Sequence, residues 1–324
     1  MRVAITGAGG FLGRSLTEAL LAQGNEVRCL VRRGGQIAPE PSTKLEVFLA
    51  DVSDPASLER AFRGVEVVFH LAGVRRAPSR QLFFQVNAEG TRNVCEAMLL
   101  AGAGQLIFCG SLAASGPSTK DRPRVEEDPA SPQEWYGESK GEGERIALSY
   151  RPRLKVSCAR PCRILGPGDR ENLVFFRLVR RGIRLSVGGG PRPLSLVDVK
   201  DVANFLILLA QNPRSEGEAF FVAATGTMTL EDIEDQVAKA LAVVPRTLSV
   251  PPLALKALAL LADAASPLLR RRLPLNRKLA RQLLAPAWTC SSAKAERLLG
   301  FRPTISIADS IDRSAAWYQR HGWV

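Results

Sequence analysis

The most constraining stretch of this chain is Thr6-Gly7-Ala8-Gly9-Gly10-Phe11-Leu12-Gly13, set between an apolar run, Val3-Ala4-Ile5, and a helix-like run from Arg14 to Gln23. It reads as strand, tight turn, helix. Glycines at 7, 10 and 13 permit the turn, let backbone approach a bulky anion closely, and let the helix pack against the strand. The helix N-terminus then offers unpaired N–H groups to a pyrophosphate, so the expected ligand is a dinucleotide seated on Gly7, Gly10, Phe11, Leu12 and Gly13. A Gly-rich turn alone is common, and its position after an N-terminal strand and before a helix gives it meaning.

The chain continues as alternating strands and helices. Val27 to Val31 reads as a second strand, ending in Arg32-Arg33. An acid there would accept hydrogen bonds from both ribose hydroxyls, whereas an arginine pairs with a 2′-phosphate, so Arg32 favours NADP(H) and leaves NAD(H) possible. A third strand, Leu45 to Leu49, leads to Asp51-Val52, where Asp51 is expected near the adenine, and to Asp54, a cap for a helix starting at Pro55. The fourth strand, Glu66 to Leu71, runs into Leu71-Ala72-Gly73, small enough for backbone to lie along a cofactor, while His70 reads as a positioned core residue. After a long helix from about Gln81 to Ala101, the strand Gln105 to Cys109 ends at Gly110-Ser111. Carboxyl ends of parallel strands face the ligand crevice, which puts the Ser111 hydroxyl at the reaction end. The alternation predicts an α/β fold with a doubly wound parallel sheet.

Beyond a Pro-rich loop, Pro117 to Pro132, the run Trp135-Tyr136-Gly137-Glu138-Ser139-Lys140 opens another helix. Tyr136 and Lys140 are one turn apart and share a face. A free tyrosine titrates near pH 10, but an ammonium and an oxidised nicotinamide beside it would stabilise the phenolate and make it a usable proton carrier.

Together, Gly7-x-x-Gly10-x-x-Gly13, Ser111 and Tyr136-x-x-x-Lys140 resemble the short-chain dehydrogenase/reductase superfamily. Longer features are similar to its extended, epimerase/dehydratase-like branch, nearest the 3β-hydroxysteroid dehydrogenases and dihydroflavonol-4-reductase-like enzymes. They are His70-Leu-Ala-Gly73, Asn87-x-x-Gly90-Thr91-x-Asn93, Arg160-Pro161 with Gly166-Pro167-Gly168-Asp169, and Leu298-Leu-Gly-Phe301-x-Pro303 followed by Trp317-Tyr318. The resemblance implies a Rossmann domain over residues 1–165, with 195–225 returning to it, and a smaller, mostly helical substrate domain over 166–324. It implies that Tyr136 moves the hydroxyl proton, that Lys140 holds the nicotinamide ribose and lowers the tyrosine pKa, that Ser111 binds the substrate oxygen and that Pro161 borders the cofactor, and it leaves a homodimer possible.

Which reaction is served is narrowed by departures. Nucleotide-sugar enzymes of the branch usually carry an Asn and an Arg where this chain has Arg163 and Leu194, although Arg192 lies close to the second position. The run from Pro251 to Ala265 is strongly apolar, which suits a hydrophobic small-molecule substrate. The expected activity is an NAD(P)-dependent interconversion of a ketone and a secondary alcohol. The alternatives are a nucleotide-sugar epimerase or dehydratase, and a non-enzymatic NADP-binding redox sensor, which would have no need of a proton relay.

Composition excludes other classes. Six scattered cysteines and two histidines give no metal-ligand spacing and suit reduced, buried thiols; Cys158 and Cys162 fall near one strand and could touch. The net charge is +12, but the dense basic run from Arg270 to Arg281 has no interleaved aromatics, so nucleic acid is not expected. That run beside apolar helix could instead meet a membrane surface or an acidic carrier protein. Met1-Arg2-Val3 enters the first strand directly, so the expected compartment is the cytoplasm.

Overall fold

The computed structural model describes residues 1–32, 43–187, 190–268 and 277–324. Six strands come first: β1 (Arg2–Thr6), β2 (Glu26–Val31), β3 (Leu45–Leu49), β4 (Val67–His70), β5 (Gln105–Cys109) and β6 (Lys155–Pro161). Between them lie α1 (Phe11–Ala22), α2 (Pro55–Phe62), α3 (Arg80–Phe84), a π-helical turn (Gln85–Glu89) that runs on into α4 (Gly90–Ala101), α5 (Leu112–Ser115) and α6 (Trp135–Ser149). Then follow β7 (Arg163–Leu165), α7 (Leu173–Arg180), β8 (Ile183–Val187), β9 (Leu196–Asp198), α8 (Val199–Gln211), β10 (Ala219–Val222), α9 (Leu230–Leu241) and β11 (Arg246–Val250). The chain ends with α10 (Pro252–Leu268), α11 (Arg277–Leu283), α12 (Ala293–Leu299) and α13 (Ile307–Arg320).

Seven strands make one parallel sheet in the order β3-β2-β1-β4-β5-β6-β10. Successive side chains of a strand face opposite ways, and β1 shows the result. Val3 and Ile5 pack with Leu16 and Leu20 of α1 and with Phe205 and Leu206 of α8. Ala4, between them, faces the layer of Leu58 and Phe62 of α2 and Val94 and Met98 of α4. With both faces covered, the central strands are apolar at their inner positions, whereas β3 at the edge is mostly exposed, and the order reverses between β1 and β4, which opens a crevice at their carboxyl ends.

Local signals act as expected where a cap is spelled out. The Asp54 side chain accepts from the Ser57 N–H at the start of α2. Thr229 and Asp232 close a reciprocal box at the start of α9, each accepting from the other's backbone N–H.

A second, smaller lobe gathers α7, α9 and α13 around Phe176, Ile233, Ile311 and Tyr318. Asp201 joins the lobes, its carboxylate accepting from the Thr304 and Ile305 N–H groups and from the Thr304 hydroxyl. The stretch 195–225 divides between them. Helix α8 packs on α1, and β10 extends the large sheet beside β6. Strand β9 does not join that sheet but pairs with β7. Two further strands, β8 and β11, form a separate parallel pair. Cys162 lies against Cys290 rather than Cys158, and all six cysteines are buried and unbridged. Of the basic run from Arg270 to Arg281, residues 270–276 lie outside the described residues.

Candidate active site

The turn after β1 is built to receive an anion. Gly7 sits at φ +75°, and a Cβ there would lie 2.8 Å from the Ala72 nitrogen. A Cβ on Gly13 would lie 2.4 Å from the Gly7 carbonyl oxygen, whereas one on Gly10 would be 3.2 Å from that oxygen. Positions 7 and 13 therefore tolerate no side chain, and 10 is less restricted. Gly10 caps α1 without a side chain, and no acidic residue stands in the first turn, so nothing of this chain's own charge competes for the N–H groups of Phe11, Leu12 and Gly13. A dinucleotide pyrophosphate fits this cradle.

The crevice walls come from the ends of the neighbouring strands. Thr6 Oγ1 lies 2.7 Å from His70 Nδ1 and accepts from the Ala72 N–H at 3.2 Å. His70 Nε2 lies 3.0 Å from the Thr91 hydroxyl, which itself donates to the Asn87 carbonyl. The pattern is satisfied by a neutral ring protonated on Nε2. Complete burial, then the Lys140 charge, push its pKa down to about 3, so His70 is a neutral strut rather than an acid or base. Asn87 pins the loop after Gly73: its amide accepts from the Val74 N–H and donates to the Val74 carbonyl and to Ser139 Oγ. Leu71, Ala72 and Gly73 are thus held along the cradle by partners on three elements.

On the adenine side, Val52 is buried against Gly90, and its carbonyl accepts from Asn93. Asp51 Oδ1 accepts from the backbone N–H and hydroxyl of Ser53. Burial works against the Asp51 charge, but those bonds and the Arg32 charge hold its carboxyl below the usual range. Arg32 and Asp51 therefore flank one end of the crevice. Pro161 closes β6 at its other side, buried and in register with Val222 of β10.

The reacting groups meet because α6 comes unusually close to α5. A Cβ on Gly137 would be 2.3 Å from the Ala113 carbonyl oxygen, and one on Gly143 would be 2.3 Å from that of Asn87. Glycine inside a helix costs about 1 kcal/mol, which this approach offsets by bringing Tyr136 to the Ser111 hydroxyl. Ser111 caps α5, its Oγ accepting from the Ala113 N–H at 3.2 Å. Lys140, one turn beyond Tyr136, is only 4% exposed, with its ammonium 4.5 Å from the Phe108 ring centroid. Burial lowers its pKa, and the Glu144 carboxylate is among the groups that raise it again. Glu144 is itself fixed by Arg160 of β6, whose guanidinium spans both its oxygens.

Burial raises the Tyr136 pKa, and the Arg75 charge and the Ser111 hydrogen bond pull it back only in part. The expected lowering by Lys140 is replaced here by Arg75, whose guanidinium lies 5.8 Å from the Tyr136 ring centroid. Sequence reasoning missed Arg75, Gly137 and Gly143, since each acts through a contact between distant segments. In Arg75→Met the phenol should ionise at higher pH than in the parent protein. An ultraviolet titration of the phenolate should therefore move to higher pH. Superimposable pH profiles would remove Arg75 from this role.

A model of the NAD dependent epimerase/dehydratase family matches residues 3–223. The chain belongs to that family. It is an NAD(P)-dependent enzyme. It is 31% identical to a ceramide reductase of Caulobacter vibrioides over 322 residues, covering 99% of this chain and 96% of the relative. It is 30% identical to sterol demethylase protein B of Methylococcus capsulatus over 340 residues, covering all of both chains. The crystal structure of gox2253 superposes with a TM-score of 0.84 at 26% identity, covering 99% of each chain.

Arg163 stands over the Phe175 ring and donates to Asn172 Oδ1. Leu194 is tied through its backbone to Met228, and Arg192 donates to the Val187 carbonyl. No helix among the described residues is long and apolar enough to cross a membrane.

Proposed function

We propose that this enzyme reduces a ketone to a secondary alcohol, or runs the reverse, on a hydrophobic small molecule, with NADP(H) as the preferred cofactor. The observation that carries it is Tyr136 set beside Ser111, close enough for the serine to act on the phenol, with Lys140 buried one turn on, near the Gly7–Gly13 cradle. When bound, the nicotinamide supplies or takes the hydride. The protein's residues do the rest. Ser111 donates a hydrogen bond to the substrate oxygen, the Tyr136 hydroxyl gives that oxygen its proton, and Lys140 holds the ribose. The phenol, titrating above its ordinary value near pH 10, is protonated at neutrality, so the resting site holds an acid, which suits reduction.

Support for an apolar substrate comes from relatives named for a ceramide and a sterol, and from the positions where nucleotide-sugar enzymes usually hold a diphosphate. There Arg163 is engaged by Asn172, Leu194 offers no charge, and Arg192 is bound to main chain. Arg32 at the end of β2 supports NADP(H), since its guanidinium can pair with a 2′-phosphate.

The test is purified protein with NADPH or NADH against long-chain and polycyclic ketones, alongside nucleotide sugars. NADPH consumption with an apolar ketone, slower with NADH, is expected. No hydride exchange with any ketone under either cofactor would overturn the reading. Turnover of a nucleotide sugar without net cofactor consumption would replace it with epimerase or dehydratase chemistry.

A further inference from the structure

Helix α10 is apolar on the side that faces water as well as on the side that faces protein. Leu255, Ala259 and Ala262, at helical spacing, are buried and form its inner face with Val187 and Ala280. Half a turn around, Leu253, Ala257, Leu260, Leu261 and Ala264 are all exposed and include no polar residue. Leu253 is 79% and Leu261 65% exposed. Of the eleven exposed large apolar side chains among the described residues, six fall between Val244 and Leu261. A surface helix should be polar on its outer face, and a concentrated apolar patch marks a contact surface.

Charge says what it contacts. The stretch from Arg246 to Arg281 carries eight Lys or Arg against one acid, Asp263, and that acid is paired with Arg277. Lys256 flanks the leucines, and Arg246 precedes them, both exposed. A second copy of the chain would bring the same cations face to face. Apolar ridge and flanking cations together match an anionic bilayer, where leucines enter the acyl boundary and Lys and Arg meet the headgroups.

We propose that α10 docks this enzyme on the surface of an anionic phospholipid membrane, lying in the interface with Leu253, Leu260 and Leu261 immersed. The site's geometry gives docking a purpose. A cavity of about 370 Å³ lies between α6's start, at Glu134, Trp135 and Glu138, and Asp263, Arg277 and Arg281 of α10 and α11. Docking therefore sets a cavity adjoining the Tyr136 helix close to the lipid phase, a use that rests on the apolar-substrate reading; the docking itself does not.

The test is co-flotation of the full-length protein with vesicles of equal parts phosphatidylcholine and phosphatidylglycerol, against phosphatidylcholine alone. Wild type is expected to float with the anionic vesicles, less so as salt is raised. The triple variant Leu253→Ser, Leu260→Ser, Leu261→Ser should lose at least about tenfold in binding while keeping its unfolding midpoint and its NADPH affinity. Leu100→Ser, exposed on another face, should bind as wild type. As a readout independent of the triple variant's folding, fluorescence of Leu260→Trp should be quenched by brominated lipid beyond the wild-type signal. Absence of wild-type flotation, equal flotation of the triple variant, or no added quenching would each overturn the proposal. So would a dimer in light scattering that the triple variant loses while flotation stays unchanged. Activity is not read, so failure of the ketone assay leaves this result standing.

Discussion

Tyr136→Phe is expected to lower turnover about a thousandfold, within the roughly 10²–10⁴ range that a positioned general acid supplies. Burial raises the pKa of this phenol beside Ser111, and the Arg75 charge pulls it partly back. Ser111 cannot take over, because a serine hydroxyl is far too weak an acid. Phenylalanine retains the ring, so its packing at the start of α6 and its contact with Arg75 persist. The proposed cofactor contacts lie elsewhere, on Gly7 to Gly13 and Lys140, so NADPH affinity should stay within about twofold, or about 0.4 kcal/mol. Single-turnover rates and a fluorescence titration with NADPH separate the two quantities. Unchanged turnover would falsify the assigned proton route, and a parallel loss of cofactor binding would show that the ring, not the hydroxyl, was essential.

What the sequence revealed and what it hid follow from range. The central strands β1, β4 and β5 sit between two helical layers, so their inner residues are apolar, and that is visible in runs such as Val3-Ala4-Ile5 and Leu106-Ile107-Phe108. Capping is equally local, which is why Asp54 and the Thr229–Asp232 box were legible. The β8–β11 pair was not. Ile183–Val187 is only half-buried, Arg246–Val250 is mostly exposed, and their pairing joins segments about sixty residues apart. Neither strand leaves the continuous apolar run that burial on both faces imposes.

The site shows the same division. Gly7, Gly13, Tyr136 and Lys140 are spaced by the geometry of one turn or one helix, so their placement was readable from spacing. Gly137 and Gly143 read only as weak points of a helix until Ala113 and Asn87 are seen pressed against them. Arg75 follows the expected wall segment by two residues, yet nothing local says that its charge reaches the Tyr136 ring. Asn87 belongs to a motif in the chain, and its function, clamping Val74 and Ser139 at once, becomes visible only when three elements are assembled.

Gly13→Ala is expected to weaken NADPH binding about a hundredfold, or about 2.7 kcal/mol, and to cost about 1–3 kcal/mol of stability through overpacking. The added Cβ would meet the Gly7 carbonyl oxygen at 2.4 Å and the Ala8 Cα and carbonyl oxygen at 2.7 Å. All three are backbone, so no rotamer change relieves the contact, and α1 has to move away from β1. That displacement carries off the helix N-terminus whose N–H groups would receive the pyrophosphate. Gly10→Ala supplies the internal comparison, since its Cβ would stand 3.2 Å from the same oxygen and a shift of a few tenths of an ångström suffices. Its affinity should fall less than about tenfold, or about 1.4 kcal/mol. Calorimetric titration with NADPH and thermal unfolding of both variants check the ordering. If Gly13→Ala binds as tightly as Gly10→Ala, the cofactor is not seated against the α1 N-terminus, and the placement of Tyr136 and Arg32 relative to it has to be redrawn.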